Sequence, residues 1–368
     1  MVSVIIINHN YGQYIGEAIE SVLKQTYQKF ELIIIDGAST DNSRQIITKY
    51  AIDYPEKIIA VFKPTSGQAA AFNLGYRLCK GDVLAFLDAD DYYFENKLEI
   101  ITQLHEKYDF VGHGRICHDK DGNLKQTNTV MDDYDDRPML LKKYGYVYTY
   151  NLMTSFISMR KSLADKIFPM PEEGYVTFAD CYVKVLAQYY SNIKFINDPL
   201  AYYRIHHDQK TQRFSNIKEL EAFCQDLYNR VFLDINDELR CRGEKEIPIM
   251  DDVNKGEALR IANKHMMLEK GSKVVIYGTG AHGEKVFDNL QLMGVTCVFA
   301  IDSDENKWGK LWHDMVIYPL EEALEKKDEF EKIVLGTYDY AEEVGDILKQ
   351  RGMKENKDYC SFISIPND

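Results

Sequence analysis

Four short apolar runs separated by segments of helical period dominate the first 90 or so residues, and few architectures accommodate that alternation. The runs are "VSVIII" (2–7), "ELIIID" (31–36), "IIAVFK" (58–63) and "DVLAFL" (82–87). Each is rich in Val and Ile and continuous rather than alternating, as a strand buried on both faces requires. Between the first two, Ile15, Ala18, Ile19, Val22 and Leu23 fall at helical spacing. "STDNS" (39–43) offers N-cap side chains for a helix through Tyr50, and residues 67–79 read as a third helix. The pattern predicts an α/β fold with a doubly wound parallel sheet.

The rest of the chain suggests further units, since 368 residues exceed one ordinary domain and 45% apolar content supports real cores. "YDFVGHGRI" (108–116) and "YNLMTSFISMR" (150–160) read as strands, and "DCYVKVLAQYY" (180–190) as a helix. Residues 215–270 are helical and charged, in the manner of a connector. At Gly271 the pattern restarts: "KVVIYGTGAHGEKVFDNL" (273–290) is strand, glycine turn and helix, followed by strands in 295–304 and 332–338. The expected domains are therefore 1–214, 215–270 and 271–368, the last a small Rossmann-like α/β domain.

"VLAFLDADDYYF" (83–94) runs an apolar strand straight into Asp88, Asp90 and Asp91. In open parallel sheets ligands sit beyond the carboxyl ends of the strands, where these acids and Asp36 fall. Carboxylates held in one turn can bind a hard divalent cation such as Mg²⁺ or Mn²⁺, which in turn can bridge a diphosphate. The plainer alternative is that the acids cap the next helix and face solvent. A formal charge of −14 excludes a nonspecific nucleic-acid binder. Seven cysteines, none in Cys-x-x-Cys spacing, predict reduced thiols rather than disulfides or a zinc ribbon. No apolar run reaches about 18 residues, and the N-terminus does not read as a signal peptide, so a cytoplasmic protein is expected.

"SVIIINHNYGQYIGEAIESVLKQTYQKFELIIIDGASTDNS" (3–43) and "GQAAAFNLGYRLCKGDVLAFLDADD" (67–91) resemble the nucleotide-sugar domain of the family 2 glycosyltransferases, the inverting GT-A group. With later motifs the likeness covers roughly the first 210 residues. It implies transfer of a sugar from a nucleoside-diphosphate sugar, a UDP-sugar being favoured, to a saccharide or lipid-linked saccharide acceptor. The resemblance places Asn8, His9, Asn10, Asp36, Asn73 and Asp88 at the donor, and Asp90 and Asp91 at Mn²⁺ or Mg²⁺. "AYYRIHHDQKT" (201–211) matches a stretch that lies over the diphosphate, which implies phosphate contacts for Arg204 and His206 and a metal contact for His206. Asp180 in "TFADCYVKVLA" (177–187) matches the general base, the other reading being a helix N-cap. The chain departs from the pattern at Gly37, where many members carry a second acid, at Phe72, where arginine is common, and at Ala179, where glutamate is usual. Many relatives act at the inner face of the membrane, and association there stays open.

Three features admit more than one reading. Tyr144, Tyr146, Tyr148 and Tyr150 would share one face of a strand, as a sugar platform or a packing face. "DDYDD" (132–136) is a solvated acidic loop or a metal site. "GTGAHG" (278–283), with Asp302 ending the next strand, has the form that holds a dinucleotide through Gly278, Gly280, Gly283 and the acid. The region resembles small Rossmann-like modules appended to bacterial sugar-modifying enzymes, for which NAD, another nucleotide or a purely structural role are alternatives. At the level of the whole chain, the rivals to a transferase are a non-catalytic nucleotide-sugar sensor and an NAD-linked sugar-modifying enzyme.

Overall fold

The computed structural model describes residues 1–118, 123–127, 137–145, 147, 152–207, 209, 217–248, 252–337 and 340–362. The chain divides into two compact units, Met1–Lys142 with Val147–Ile247, and Lys143–Tyr146 with Pro248–Asp368. The stretch 215–270 is shared between them.

The first unit begins with β1 (Val2–Asn8), α1 (Ile15–Leu23), β2 (Phe30–Asp36), α2 (Ser43–Asp53), β3 (Ile58–Phe62), α3 (Gln68–Leu78) and β4 (Val83–Asp88). It continues through β5 (Tyr92–Tyr93), α4 (Lys97–Leu104), β6 (Phe110–His118), β7 (Leu124–Thr127) and α5 (Arg137–Tyr144). β8 (Ile157–Arg160), α6 (Lys161–Ile167), α7 (Asp180–Tyr190), β9 (Ile193–Arg204) and α8 (Ile217–Cys241) complete it. The sheet order is β3-β2-β1-β4-β8-β6-β9-β5, with β7 paired to β6.

The four apolar runs form the parallel half of this sheet, and every residue of β2 is buried. Ile15, Ala18, Ile19 and Val22 of α1 pack onto Val4, Ile6, Leu32 and Ile34 from one side. The register sets Asn8 beside Asp36 and Ile7 beside Asp88, so three carboxyl ends lie in a row. Beyond β4 the sheet turns mixed: β8 runs antiparallel to β4 and β6, and β5 antiparallel to β9. β6 and β9 nonetheless pair in parallel, with α6 and α7 between them in the chain. Of the expected strand 150–160, residues 150 and 151 lie outside the described residues, and among the described ones 157–160 pair, after a 3₁₀ turn at Thr154–Phe156.

The second unit contains α9 (Asp252–Ala262), β10 (Lys273–Tyr277), α10 (Ala281–Leu292), β11 (Thr296–Ile301), β12 (Leu311–Trp312) and β13 (Met315–Tyr318). α11 (Leu320–Glu325), β14 (Lys332–Leu335), α12 (Ala341–Gln350) and β15 (Tyr359–Ser361) follow. Its sheet, ordered β12-β13-β11-β10-β14-β15, is parallel except for the β12–β13 hairpin. No described helix is long and apolar enough to cross a membrane.

Candidate active site

The site grows from the strand ends. Asp36, 2% exposed, accepts from Asn8 Nδ2 (2.7 Å), Ser39 Oγ (2.7 Å) and Ser39 N (3.0 Å). Asn10, at φ 60°, donates its backbone N–H to Ser39 Oγ (2.8 Å) and accepts from Thr40 N (2.7 Å). Gly12 N donates to Asp41 (2.7 Å), whose other oxygen accepts from Ser43 N (2.9 Å). The segment 39–43 thus ties the loop after β2 to the loop after β1, and α2 has no side-chain N-cap bond at Asn42. His9 stands exposed, its Nδ1 3.1 Å from Gly37 O.

The acid turn separates three carboxylates by direction. The Asp88 N–H donates to Ser155 Oγ (3.0 Å). Asp90 Oδ2 lies 3.0 Å from His206 Nε2, so that nitrogen carries the proton, while the buried Nδ1 has no partner among the described residues. Tyr11 and Tyr14 flank the imidazole at 5.9 and 4.6 Å between ring centres. Asp91, expected beside the metal, instead turns inward: it is 2% exposed and accepts from Arg204 N (3.0 Å). Burial, then the neighbouring Asp90 charge, push it up to about 8. Beneath it Lys97 is fully buried, bonded to Ser155 O (2.7 Å), and burial holds its ammonium well below the usual lysine range. Arg204 braces the turn rather than facing the cavity. Its Nε donates to Asp90 O (3.0 Å), its terminal nitrogen meets Glu17, and its guanidinium lies over Tyr14 and Tyr92.

The opposite wall comes from the segment before α7. Gly67, at φ 138°, lies against Val176 so closely that a Cβ would sit 2.3 Å from Val176 Cα. Gln68 N donates to Val176 O (3.0 Å) and Ala69 N to Tyr175 O (3.2 Å). The Gln68 side chain accepts from Ala179 N (2.8 Å), capping the α7 backbone from α3. Asp180 therefore opens α7 without serving as its cap. Its Oδ2 meets Lys184 Nζ at 2.9 Å, both residues less than a tenth exposed, and Lys184 also donates to Leu152 O (2.7 Å). Burial alone would lower the Lys184 ammonium, but the Asp180 charge outweighs it and raises it above the usual range.

A cavity of about 400 Å³ joins these walls. It is lined by Asn8, His9, Asp88, Asp90 and Asp180 among the expected residues, with Tyr11, Gln68, Phe178, Tyr203 and Gln209 beside them. Asn10, Asp36, Asp91, Arg204 and His206 are not part of this lining: Asn10 is exposed, and Asp36, Asp91 and His206 are buried. Asn73 is buried elsewhere, bonded to Met170 N and O and to Glu172. Lys184 and Gln68 were not anticipated; the Asp-x-x-x-Lys spacing at 180–184, one helical turn, was the available signal for the former. Among the described residues no three His, Cys, Asp or Glu side chains converge as a metal site. Asp90 and His206 nonetheless fit as a two-ligand platform: their carboxylate oxygen and imidazole nitrogen lie 3.0 Å apart, and both donor types suit Mn²⁺. Tyr146, Tyr148, Tyr150 and the acids at 132–136 lie outside the described residues; Tyr144 is buried.

In the second unit Gly278, at φ 107°, turns the chain after β10. A Cβ at Gly283 would fall 2.1 Å from Gly278 O, so glycine there lets helix and strand end touch. Nothing lies within 4 Å of a Cβ at Gly280. Asp302 is already satisfied: Oδ2 accepts from Thr279 N (3.0 Å), Thr279 Oγ1 (2.5 Å) and Lys307 Nζ (2.8 Å), and Oδ1 from Asp304 N (2.9 Å). A dinucleotide would find the ribose-binding acid engaged within the fold, so the residues present do not fit NAD.

Residues 3–168 match the family described as Glycosyl transferase family 2, and residues 270–358 the one described as C2185-like, N-terminal. A protein of Nostoc sp. strain PCC 7120 described as an uncharacterized glycosyltransferase is 36% identical over 209 residues, 56% of this chain and 65% of its own. A Haemophilus influenzae protein described in the same way is 33% identical over 189 residues, 50% of this chain and 73% of its own. The chain thus spans just under two thirds of the Nostoc relative. Among solved structures, S. aureus TarS in complex with UDP has a TM-score of 0.44 at 19% identity, covering 73% of this chain and 72% of that one.

Proposed function

The chain belongs to glycosyl transferase family 2, and from that membership we propose that it moves one sugar from a nucleoside-diphosphate sugar to a hydroxyl acceptor with inversion. The observation that carries this reading is one cavity lined both by Asp88 and Asp90 at a strand end and by Asp180 at a helix start. Inverting transfer is an in-line displacement, which needs a leaving group and a base in one chamber. Asp180 takes the proton of the acceptor hydroxyl; the acceptor oxygen bonds the anomeric carbon as its bond to the diphosphate breaks, and the diphosphate leaves with the electron pair. Asp90 and His206 would hold Mn²⁺ or Mg²⁺, whose charge would offset that developing on the diphosphate. Asp91 and Arg204 position Asp90 from behind, through Arg204 N to the Asp91 carboxylate and Arg204 Nε to Asp90 O. A UDP-sugar is the favoured donor and a saccharide or lipid-linked saccharide the favoured acceptor.

Asp180→Asn tests the assignment. Transfer should fall by about 10²–10⁴-fold while binding of the nucleoside diphosphate with Mn²⁺ stays within about twofold. Transfer at the wild-type rate would refute the role of Asp180. NMR of the product, showing the anomeric configuration opposite to the donor, checks inversion.

A further inference from the structure

Lys184 lies one helical turn after Asp180 on α7. Its ammonium is 2.9 Å from Asp180 Oδ2 and 2.7 Å from Leu152 O. Lys184 is 6% exposed and Asp180 7% exposed, so this is no solvated surface staple. Exposed i,i+4 pairs are weak and leave both groups free to reorient. Here the lysine has a backbone carbonyl from another segment as its second acceptor, which fixes the ammonium independently of the carboxylate. Oδ2 is thereby held toward the helix. Among the described residues Oδ1 has no partner within the fold, and Asp180 lines the cavity.

We propose that Lys184 is the positioning residue of the transfer reaction: it clamps Oδ2 of Asp180, presents Oδ1 to the acceptor hydroxyl, and sets a fixed counter-charge against the carboxylate. The inference rests on the reading of Asp180 as the base. The pairing gives a largely buried carboxylate a counter-charge, without which burial favours the protonated acid. The neighbouring groups leave that task to Lys184. Those facing the pair are Cys181 on α7, Tyr228 on α8, and His9, Tyr11, Asp88, Asp90 and Tyr203 around the cavity; of these only His9, which stands exposed, can become a cation. The geometry also constrains substitution: a methionine keeps the aliphatic stem but removes the charge, and an arginine keeps the charge.

The experiment compares wild type, Lys184→Met, Lys184→Arg and Asp180→Asn as full-length proteins. Donor hydrolysis, which is transfer to water, is followed as nucleoside diphosphate release from UDP-glucose, UDP-N-acetylglucosamine and GDP-mannose across pH. In parallel the Asp180 carboxyl is titrated by ¹³C NMR, its signal assigned by loss in Asp180→Asn. In Lys184→Met the acid limb of the rate profile and the carboxyl titration should both move up by at least one pH unit, with the rate at neutral pH down about tenfold or more. Lys184→Arg should restore both toward wild type, and binding of UDP with Mn²⁺ should not change in either. A folded Lys184→Met whose carboxyl titrates as in wild type overturns the inference, whatever its melting temperature. If Lys184→Met does not fold, Lys184→Gln takes its place under the same criterion. The carboxyl titration needs no donor, so it decides the question where hydrolysis is slow. Survival of hydrolysis in Asp180→Asn would instead overturn the base assignment itself, a result distinct from an unmoved titration.

Discussion

Replacing Gly67 by alanine tests whether the cavity walls are joined as described. The residue sits at φ 138°, in a region costing a side chain about 1–3 kcal/mol. A Cβ there would be 2.3 Å from Val176 Cα, whereas ordinary contacts begin at 3.4 Å, so the Val176 backbone must retreat by more than 1 Å. That retreat removes the bonds from Gln68 N to Val176 O and from Ala69 N to Tyr175 O, each contributing about 0.5–1.5 kcal/mol. The expected loss is about 2–6 kcal/mol, a large share of the 5–15 kcal/mol typical of a folded domain. Urea unfolding followed by far-ultraviolet circular dichroism measures it. Gly280→Ala is the internal control: its Cβ would meet open space, so the change should be limited to the N-cap preference of α10, no more than about 1 kcal/mol. A Gly67→Ala protein within about 1 kcal/mol of wild type would refute the close approach of residues 67 and 176.

Two further outcomes follow from the geometry. Asp90→Asn should weaken the Mn²⁺-dependent part of nucleoside diphosphate binding by about tenfold or more and leave the metal-free part unchanged, by titration calorimetry with and without EDTA; an unchanged metal dependence removes Asp90 from the platform. Asp302 is affected by burial, which alone would raise it, but hydrogen bonds from Lys307 and Thr279 prevail and hold it at about 2. A carboxyl depressed in the folded state stabilises above its unfolded value near 3.8 and loses that contribution as pH falls toward 2. Asp302→Asn should therefore cost about 2 kcal/mol at pH 7 and progressively less from pH 4 to 2, measured by urea unfolding; a cost independent of pH in that window contradicts the assignment.

The parallel half of the first sheet was legible because continuous Val and Ile runs have few other places to go. The acid turn was legible for the same reason, as charge ending such a run has to emerge at a strand end. Side-chain direction within the turn was not: Asp90 and Asp91 are adjacent in sequence, yet one meets His206 at the cavity and the other is buried against Arg204 N. Which way each points depends on β9, more than 110 residues on, and no local spacing encodes it. Arg204 illustrates the same gap, since the guanidinium expected at phosphate packs over Tyr14 and Tyr92. The mixed half of the sheet was hidden because β8 has four residues and β5 two, too few to show a period. In the second unit the glycine spacing read correctly as strand, turn and helix, but whether Asp302 was available depended on Lys307, in a turn with no sequence signature.

The bonds joining Asn8, Asp36, Ser39 and Asn10 have a thermodynamic consequence for whatever enters the cavity. Two loops that in many proteins order only around a ligand are here fixed by folding, through the buried Asp36 carboxylate and the half-buried Ser39 hydroxyl. Immobilising a flexible side chain at the moment of binding costs about 0.5–1.5 kcal/mol, and that wall has already met the cost. Affinity on this side is thus preorganised: loosening the Asp36 network would weaken a ligand through entropy before a single contact to it was lost.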